Sequence, residues 1–160
     1  MRKNGHNVLD CFAGSAILLR TLLEIGIEVR SYYYRDNDPK VVALAMHKIL
    51  ESVELFPELI SLSAVAGAFT LPMDMRIHDQ AATDSLDISI MSSGSPCQGF
   101  SRATGRNVPP GLDDERSYLI FEAIQLHQQL AKASAEKGHQ YWVCFENVNI
   151  PENVPDHYEI

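Results

Sequence analysis

Cys97 lies in the stretch Ser92-Ser93-Gly94-Ser95-Pro96-Cys97-Gln98-Gly99-Phe100-Ser101, which joins a potential nucleophile to a stiff piece of backbone. Pro96 fixes its own φ and pushes Ser95 toward extended geometry. The run Leu86 to Met91 ahead of it reads as a buried strand, and the small residues from Ser92 onward read as its stop and the start of a loop. A thiol in a polar loop at the carboxyl end of a strand is well placed to attack an electrophile. By itself it is equally consistent with a buried cysteine serving as a small hydrophobe. Three further groups share the same kind of position. Asp10-Cys11-Phe12-Ala13-Gly14 ends a strand in a glycine turn, where a ligand can approach the backbone beside a helix N-terminus. Asp36 follows Gly14 by 22 residues, close to the ~20 at which a nucleoside-binding βαβ unit places an acid on ribose hydroxyls. Glu146 closes the apolar run Tyr141 to Phe145, where a carboxylate either faces a cleft or pairs with a base, because burial without a partner is costly.

The elements that must position these groups alternate. Asn7 to Phe12 reads as a strand, and Ile17 to Ile25 as a helix stopped by Gly26. Ile27 to Tyr34 reads as a second strand. Asp38 then suits an N-cap and Pro39 the first turn of a helix carrying Val41, Val42, Leu44, Ala45, Ile49 and Leu50. The signal weakens from Glu51 to Ser85, with Ser63 to Phe69 as a candidate third strand. After the Cys97 loop, Asp113 or Asp114 can cap a long helix running to about Lys137, with Gly138 as its stop. Strands alternating with helices predict an α/β fold: a mostly parallel sheet with both faces covered, on which ligands bind outside the carboxyl ends of the strands.

Composition narrows the class. The 160 residues are one domain's worth, with 46% hydrophobic and 21% charged residues, ordinary values for a globular protein. No run approaches the ~20 apolar residues of a membrane span. The N-terminus lacks the long apolar stretch of a signal peptide, so an intracellular location is expected. Cys11, Cys97 and Cys144 form no Cys-x-x-Cys pair, which argues against a zinc site or a disulfide framework; no metal and no membrane partner are expected. The net charge of −8 is awkward for a nucleic-acid partner, because phosphate binding needs Lys and Arg. Such a partner would require basic surface outside this chain.

The clusters together resemble the cytosine-C5 DNA methyltransferase family. Phe12-Ala13-Gly14 resembles its cofactor loop, and Gly94-Ser95-Pro96-Cys97-Gln98 its Pro-Cys-Gln catalytic motif. Asp114-Glu115-Arg116-Ser117-Tyr118-Leu119 resembles the next motif, and Glu146-Asn147-Val148 its Glu-Asn-Val motif, about 50 residues beyond Cys97. The motifs follow the family's order and run across nearly the whole chain. The resemblance implies a Rossmann-like fold that binds S-adenosyl-L-methionine, truncated on its C-terminal side, with residues 1–160 forming a partial catalytic domain. It implies DNA methylation: transfer of a methyl group to carbon 5 of a flipped-out cytosine. Cys97 would be the nucleophile and Glu146 the residue that holds the base. Phe12, Gly14, Asp36, Asn37, Pro96 and Leu119, with Asp10, would surround the cofactor. Gln98, Ser101 and Arg102 would touch the nucleic acid, and Asn147 would stabilise a turn. A family branch that acts on transfer RNA with the same motifs, and a catalytically silent regulatory partner, are the alternative readings. Intact Cys97 and Glu146 argue against the silent one.

The chain also departs from the family pattern. Ser15 and Ala16 follow Gly14 where more glycine is usual. The acid expected to contact the adenine amine has only weak candidates in Asp74 and Asp79, and Ala68 is a third candidate for its place. An arginine-bearing motif, a target-recognition region and a final helix motif do not follow Val148. The expectation is a fragment, one half of a split enzyme or a degenerate copy. Weak or no methylation is then expected of the chain alone, with a complementary C-terminal subunit or fragment as a partner. The expected compartment is the cytoplasm of a prokaryote or phage host, or a nucleus. The expected settings are restriction–modification, phage protection or epigenetic marking.

Overall fold

The computed structural model describes residues 5–77, 80–98, 100 and 110–148. Four strands form one sheet: β1 (His6–Cys11), β2 (Val29–Arg35), β3 (Ile90–Gly94) and β4 (Trp142–Glu146). Their order is β2-β1-β3-β4 and every pairing is parallel. Between them run α1 (Ile17–Glu24), α2 (Pro39–Leu55), the short α3 (Leu62–Val65) and α4 (Gln80–Ser85), and α5 (Leu119–Glu136). The chain is therefore α/β and compatible with a Rossmann-like arrangement. From β1 it crosses to β2 on one side, and β3 and β4 then continue on the other. The carboxyl ends of β1 and β3 thus flank a topological switch point.

Local signals explain the elements that the sequence announces. Asp38 caps α2 by accepting the Lys40 N–H at 2.9 Å, and Pro39 opens the helix. Gly26 ends α1 with φ +83° and Gly138 follows α5 with φ +65°. Asp114, rather than Asp113, caps the helical run before α5. Its carboxylate takes the Arg116 N–H at 3.0 Å and starts a 3-10 turn, Glu115–Tyr118, that leads into the helix.

Two apolar layers sandwich the sheet. On one face Val8, Tyr32 and Tyr34 pack with Leu19, Leu22 and Leu23 of α1 and Ala45 and Ile49 of α2. On the other, Leu9, Cys11 and Met91 pack on Ala123, Leu126 and Leu130 of α5 and on Leu71 and Met75. Burial of a Leu-sized side chain contributes about 1.5–3 kcal/mol, and the tight packing adds to it.

Three expectations from sequence are corrected. Ser63 to Phe69 is not a strand: Ser61 accepts the Ala64 N–H at 3.3 Å and opens α3 instead. Around it the chain meets β2 through separate backbone bonds, Val29 N–H to Leu59 O and Tyr34 N–H to Ala68 O, both 2.8 Å, and through the Phe69 ring on Tyr34. The strand before Cys97 is not Leu86 to Met91, and Ser92 does not stop it: β3 begins at Ile90 and runs through Ser92, Ser93 and Gly94. These residues have low strand propensity, but a central strand bonded to β1 and β4 on its two sides holds them extended. Covered faces are not found everywhere either. All five residues of β4 are exposed, because β4 pairs with β3 alone among the described residues. Among the described residues no helix is long and apolar enough to cross a membrane.

Candidate active site

The β1–α1 turn is built under strain. Phe12 and Ala16 adopt left-handed conformations at φ +54° and +60°, which cost a non-glycine residue about 1 kcal/mol or more each. Gly14, between them at φ +54°, has open space where a Cβ would stand, so conformation rather than crowding calls for glycine there. Three tertiary bonds hold the turn, one of them from the Ala13 N–H to Arg35 O at 3.1 Å. The Tyr34 hydroxyl donates to Gly14 O at 2.7 Å, and the Gly14 N–H donates to Asp36 Oδ2 at 3.0 Å. The other Asp36 oxygen accepts the Asp38 N–H at 3.0 Å. Asp36 is thus locked across the turn, each oxygen retaining a lone pair for a further donor. The N-terminus of α1, next to it, has no side-chain cap and no acid in its first turn.

A cavity of about 390 Å³ opens at this switch point. Phe12, Asp36, Asn37, Pro96 and Leu119 all line it, five of the residues singled out in the sequence. Gln98 lines it too, although its motif position suggested contact with nucleic acid. Asp10 stands apart. It is buried in the β1 interior, and its carboxylate accepts the Tyr32 hydroxyl at 2.7 Å. Burial pushes its pKa up to about 7, against the opposing effect of the tyrosine bond. Ser101 and Arg102, the remaining substrate candidates, lie outside the described residues, as does Asp79.

The Cys97 loop and Glu146 leave the sheet at the same edge. Gly94 pairs in register with Glu146, so the Cys97 loop and the Glu146-Asn147-Val148 segment leave the sheet side by side. Two contacts then tie them. Asn147 Nδ2 donates to Ser95 Oγ at 2.9 Å. Phe100, fully buried, packs with Phe121 and Val148. The role of Asn147 as a turn-stabilising residue therefore includes bridging the two motifs. Gly94 lines the cavity, and a Cβ there would stand 3.4 Å from Glu146 Oε2, which puts the carboxylate beside it. Cys97 is half-buried, between two cavity-lining residues, and its carbonyl anchors a turn to the Phe100 N–H at 3.0 Å. Cys11, in contrast, is fully buried, and burial pushes its thiol up to about 12, which leaves it inert.

The sequence reading underrated part of the wall. Met73, Asp74, Met75 and Arg76 line the cavity, as do Glu115 and Arg116. Asp74, a weak candidate, is thereby at the cavity, whereas Ala68 is buried with its carbonyl engaged by Tyr34. Arg76 grips Asp74 through Nε at 3.0 Å and Nη2 at 2.6 Å and holds its pKa down at about 2. Arg116 grips Asp114 in the same way, at 2.9 and 2.7 Å. The repeated Asp-x-Arg spelling, an Asx-turn signal, was the cue that would have found both segments. Among the described residues no cluster of His, Cys, Asp or Glu is arranged to hold a metal ion. Compared with protein-family models and with curated proteins, the chain matches none.

Proposed function

We propose that this chain is the cofactor-binding and nucleophile-bearing part of a cytosine-C5 methyltransferase that acts on DNA with S-adenosyl-L-methionine. The observation that carries the reading is the Gly94–Glu146 register, which brings Cys97 and Glu146 to one edge of the sheet beside the cavity.

The residues present fit the cofactor. Asp36 offers two oriented oxygens to a ribose diol, Phe12 and Met73 give an apolar wall to a planar base, and the uncapped start of α1 suits a carboxylate. The cavity lies in the usual volume range for small ligands, about 300–1,000 Å³. Bound there, S-adenosyl-L-methionine supplies an electrophilic methyl group. The Cys97 sulfur, as thiolate, forms a bond to carbon 6 of cytosine, and the electron pair of the 5,6 double bond moves toward carbon 5 and the ring. Glu146 holds ring nitrogen 3 and the exocyclic amine, so the ring takes up charge. Once carbon 5 carries the methyl group, loss of its proton re-forms the double bond and expels Cys97. An ordinary thiol is only about 3% thiolate at pH 7, so the addition needs a proton acceptor during attack. The DNA contacts belong to surface that a chain of net charge −8 does not itself supply.

Titration calorimetry of the purified chain with S-adenosyl-L-methionine tests the reading. Binding is expected, weakened about tenfold or more by Asp36→Ala. A folded chain that binds none would overturn it. Covalent trapping of a 5-fluorocytosine oligonucleotide then tests the nucleophile: trapping must vanish in Cys97→Ser, and equal behaviour of the two proteins would sink the assignment.

A further inference from the structure

Arg35 is the last residue of β2, 2% exposed. A buried guanidinium normally pairs with a carboxylate. Among the described residues this one donates to the main chain of a single loop: Nε to Pro72 O at 2.7 Å, and Nη2 to Asp74 O at 2.7 Å and Ile77 O at 2.9 Å. The loop is the one that carries Met73, Asp74, Met75 and Arg76 to the cavity. Among the described residues its own hydrogen bonds all converge on Asp74: Ile77 N–H to Asp74 O at 3.1 Å, Arg76 N–H to Asp74 Oδ1 at 2.9 Å, and the Arg76 side chain to the Asp74 carboxylate. The buried side chains of Leu71 and Met75 also anchor it, but apolar contact does not fix which way its carbonyls and pocket-facing side chains turn. A planar fork that reaches three carbonyls does, and a lysine cannot reproduce it. The same residue reaches the other walls: its own carbonyl accepts the Ala13 N–H at 3.1 Å beside Phe12, and its peptide neighbour is Asp36.

We propose that Arg35 is the positioning residue of the cavity, which sets the 72–77 loop as the wall opposite Asp36. The proposal rests on the cofactor reading above for the identity of the ligand, but not for the clamp itself. The test uses Arg35→Lys, which keeps the charge and removes the fork. Two quantities are read. Amide hydrogen exchange at Arg76 and Ile77, measured without ligand, is expected to rise at least about tenfold while β1, β2 and α1 keep their protection. The dissociation constant for S-adenosyl-L-methionine is expected to rise about tenfold or more. Wild-type exchange at Arg76 and Ile77, or a uniform rise across the sheet, overturns the clamp, the second because the side chain would then be supporting the core rather than the wall. Faster loop exchange with wild-type affinity overturns the positioning role. If the wild-type chain binds no S-adenosyl-L-methionine, the function proposed above falls and exchange alone decides the clamp. Should Arg35→Lys fail to fold, Arg35→Gln is measured in the same way; failure of both to fold overturns the proposal.

Discussion

β1 and β4 lie on either side of β3 and both carry apolar residues, three of six in β1 and four of five in β4, yet they end in opposite environments. From Asn7 to Cys11 every residue of β1 is buried, while every residue of β4 is exposed, Trp142 at 61% and Phe145 at 41%. Composition does not separate the two. Neighbours do: β1 has a strand on each edge and helices on each face, whereas among the described residues β4 pairs with β3 alone and takes a sideways contact from His127, whose ring meets Phe145 edge-on. A parallel sheet is stable where both faces are covered. The stability of this molecule therefore resides in the β2-β1-β3 part, and the chemistry proposed for Glu146 sits on its least buttressed strand.

Substitutions in the two strands should separate sharply. Leu9→Ala is expected to cost about 3 kcal/mol in urea denaturation, and Phe145→Ala less than about 1 kcal/mol. Equal losses would mean that β4 is covered in solution. The next effect is a pH dependence confined to the buried side. Asp10 is raised from 3.8 to about 7, so between those values the unfolded chain gives up this proton and the folded one keeps it. Its contribution to stability is thus most favourable below about pH 4 and falls as pH rises through about 7. Asp10→Asn should flatten that slope; an unchanged slope would place the titration elsewhere.

Smaller effects sharpen the contrast. Ser95→Ala removes the acceptor that ties Asn147 to the Cys97 loop, and is expected to cost about 1 kcal/mol and to raise amide exchange at residues 145–148 before any change in β1. Asp38→Ala, at the α2 cap, should cost a similar ~1 kcal/mol with no local effect on β4. Trp142 is the sole tryptophan, so its emission should be red-shifted and readily quenched by acrylamide. A blue, shielded emission would contradict the exposure of β4.

Legibility in the sequence followed the range of the interactions. α1, α2 and the run into α5 announced themselves through short-range chemistry, in Gly26, Asp38-Pro39 and Asp114. Phe12, Asp36, Asn37, Pro96 and Leu119 were legible as a group because strand ends in an α/β chain share one edge. The 72–77 loop was not: its place comes from Arg35, whose partners lie 37 to 42 residues away. Asp10 was read toward the ligand, yet the alternation of its strand turns it to Tyr32. The sequence places β3 three to four residues early, because Ser92, Ser93 and Gly94 are extended by ladders on two sides and not by their own preference.

The sequence by itself determined the alternation of strands and helices, the caps that bound them, and the set of chemistry-bearing residues at strand ends, all consequences of contacts within a few residues or of side-chain period. Only the tertiary structure decided that Gly94 would pair with Glu146, that Asp36 would be locked to Gly14, that Arg35 would hold a distant loop, and that β4 would stand exposed. Each of these depends on strand order and register, and in a parallel sheet those are settled by long crossovers and by packing on both faces, which no local stretch of residues encodes.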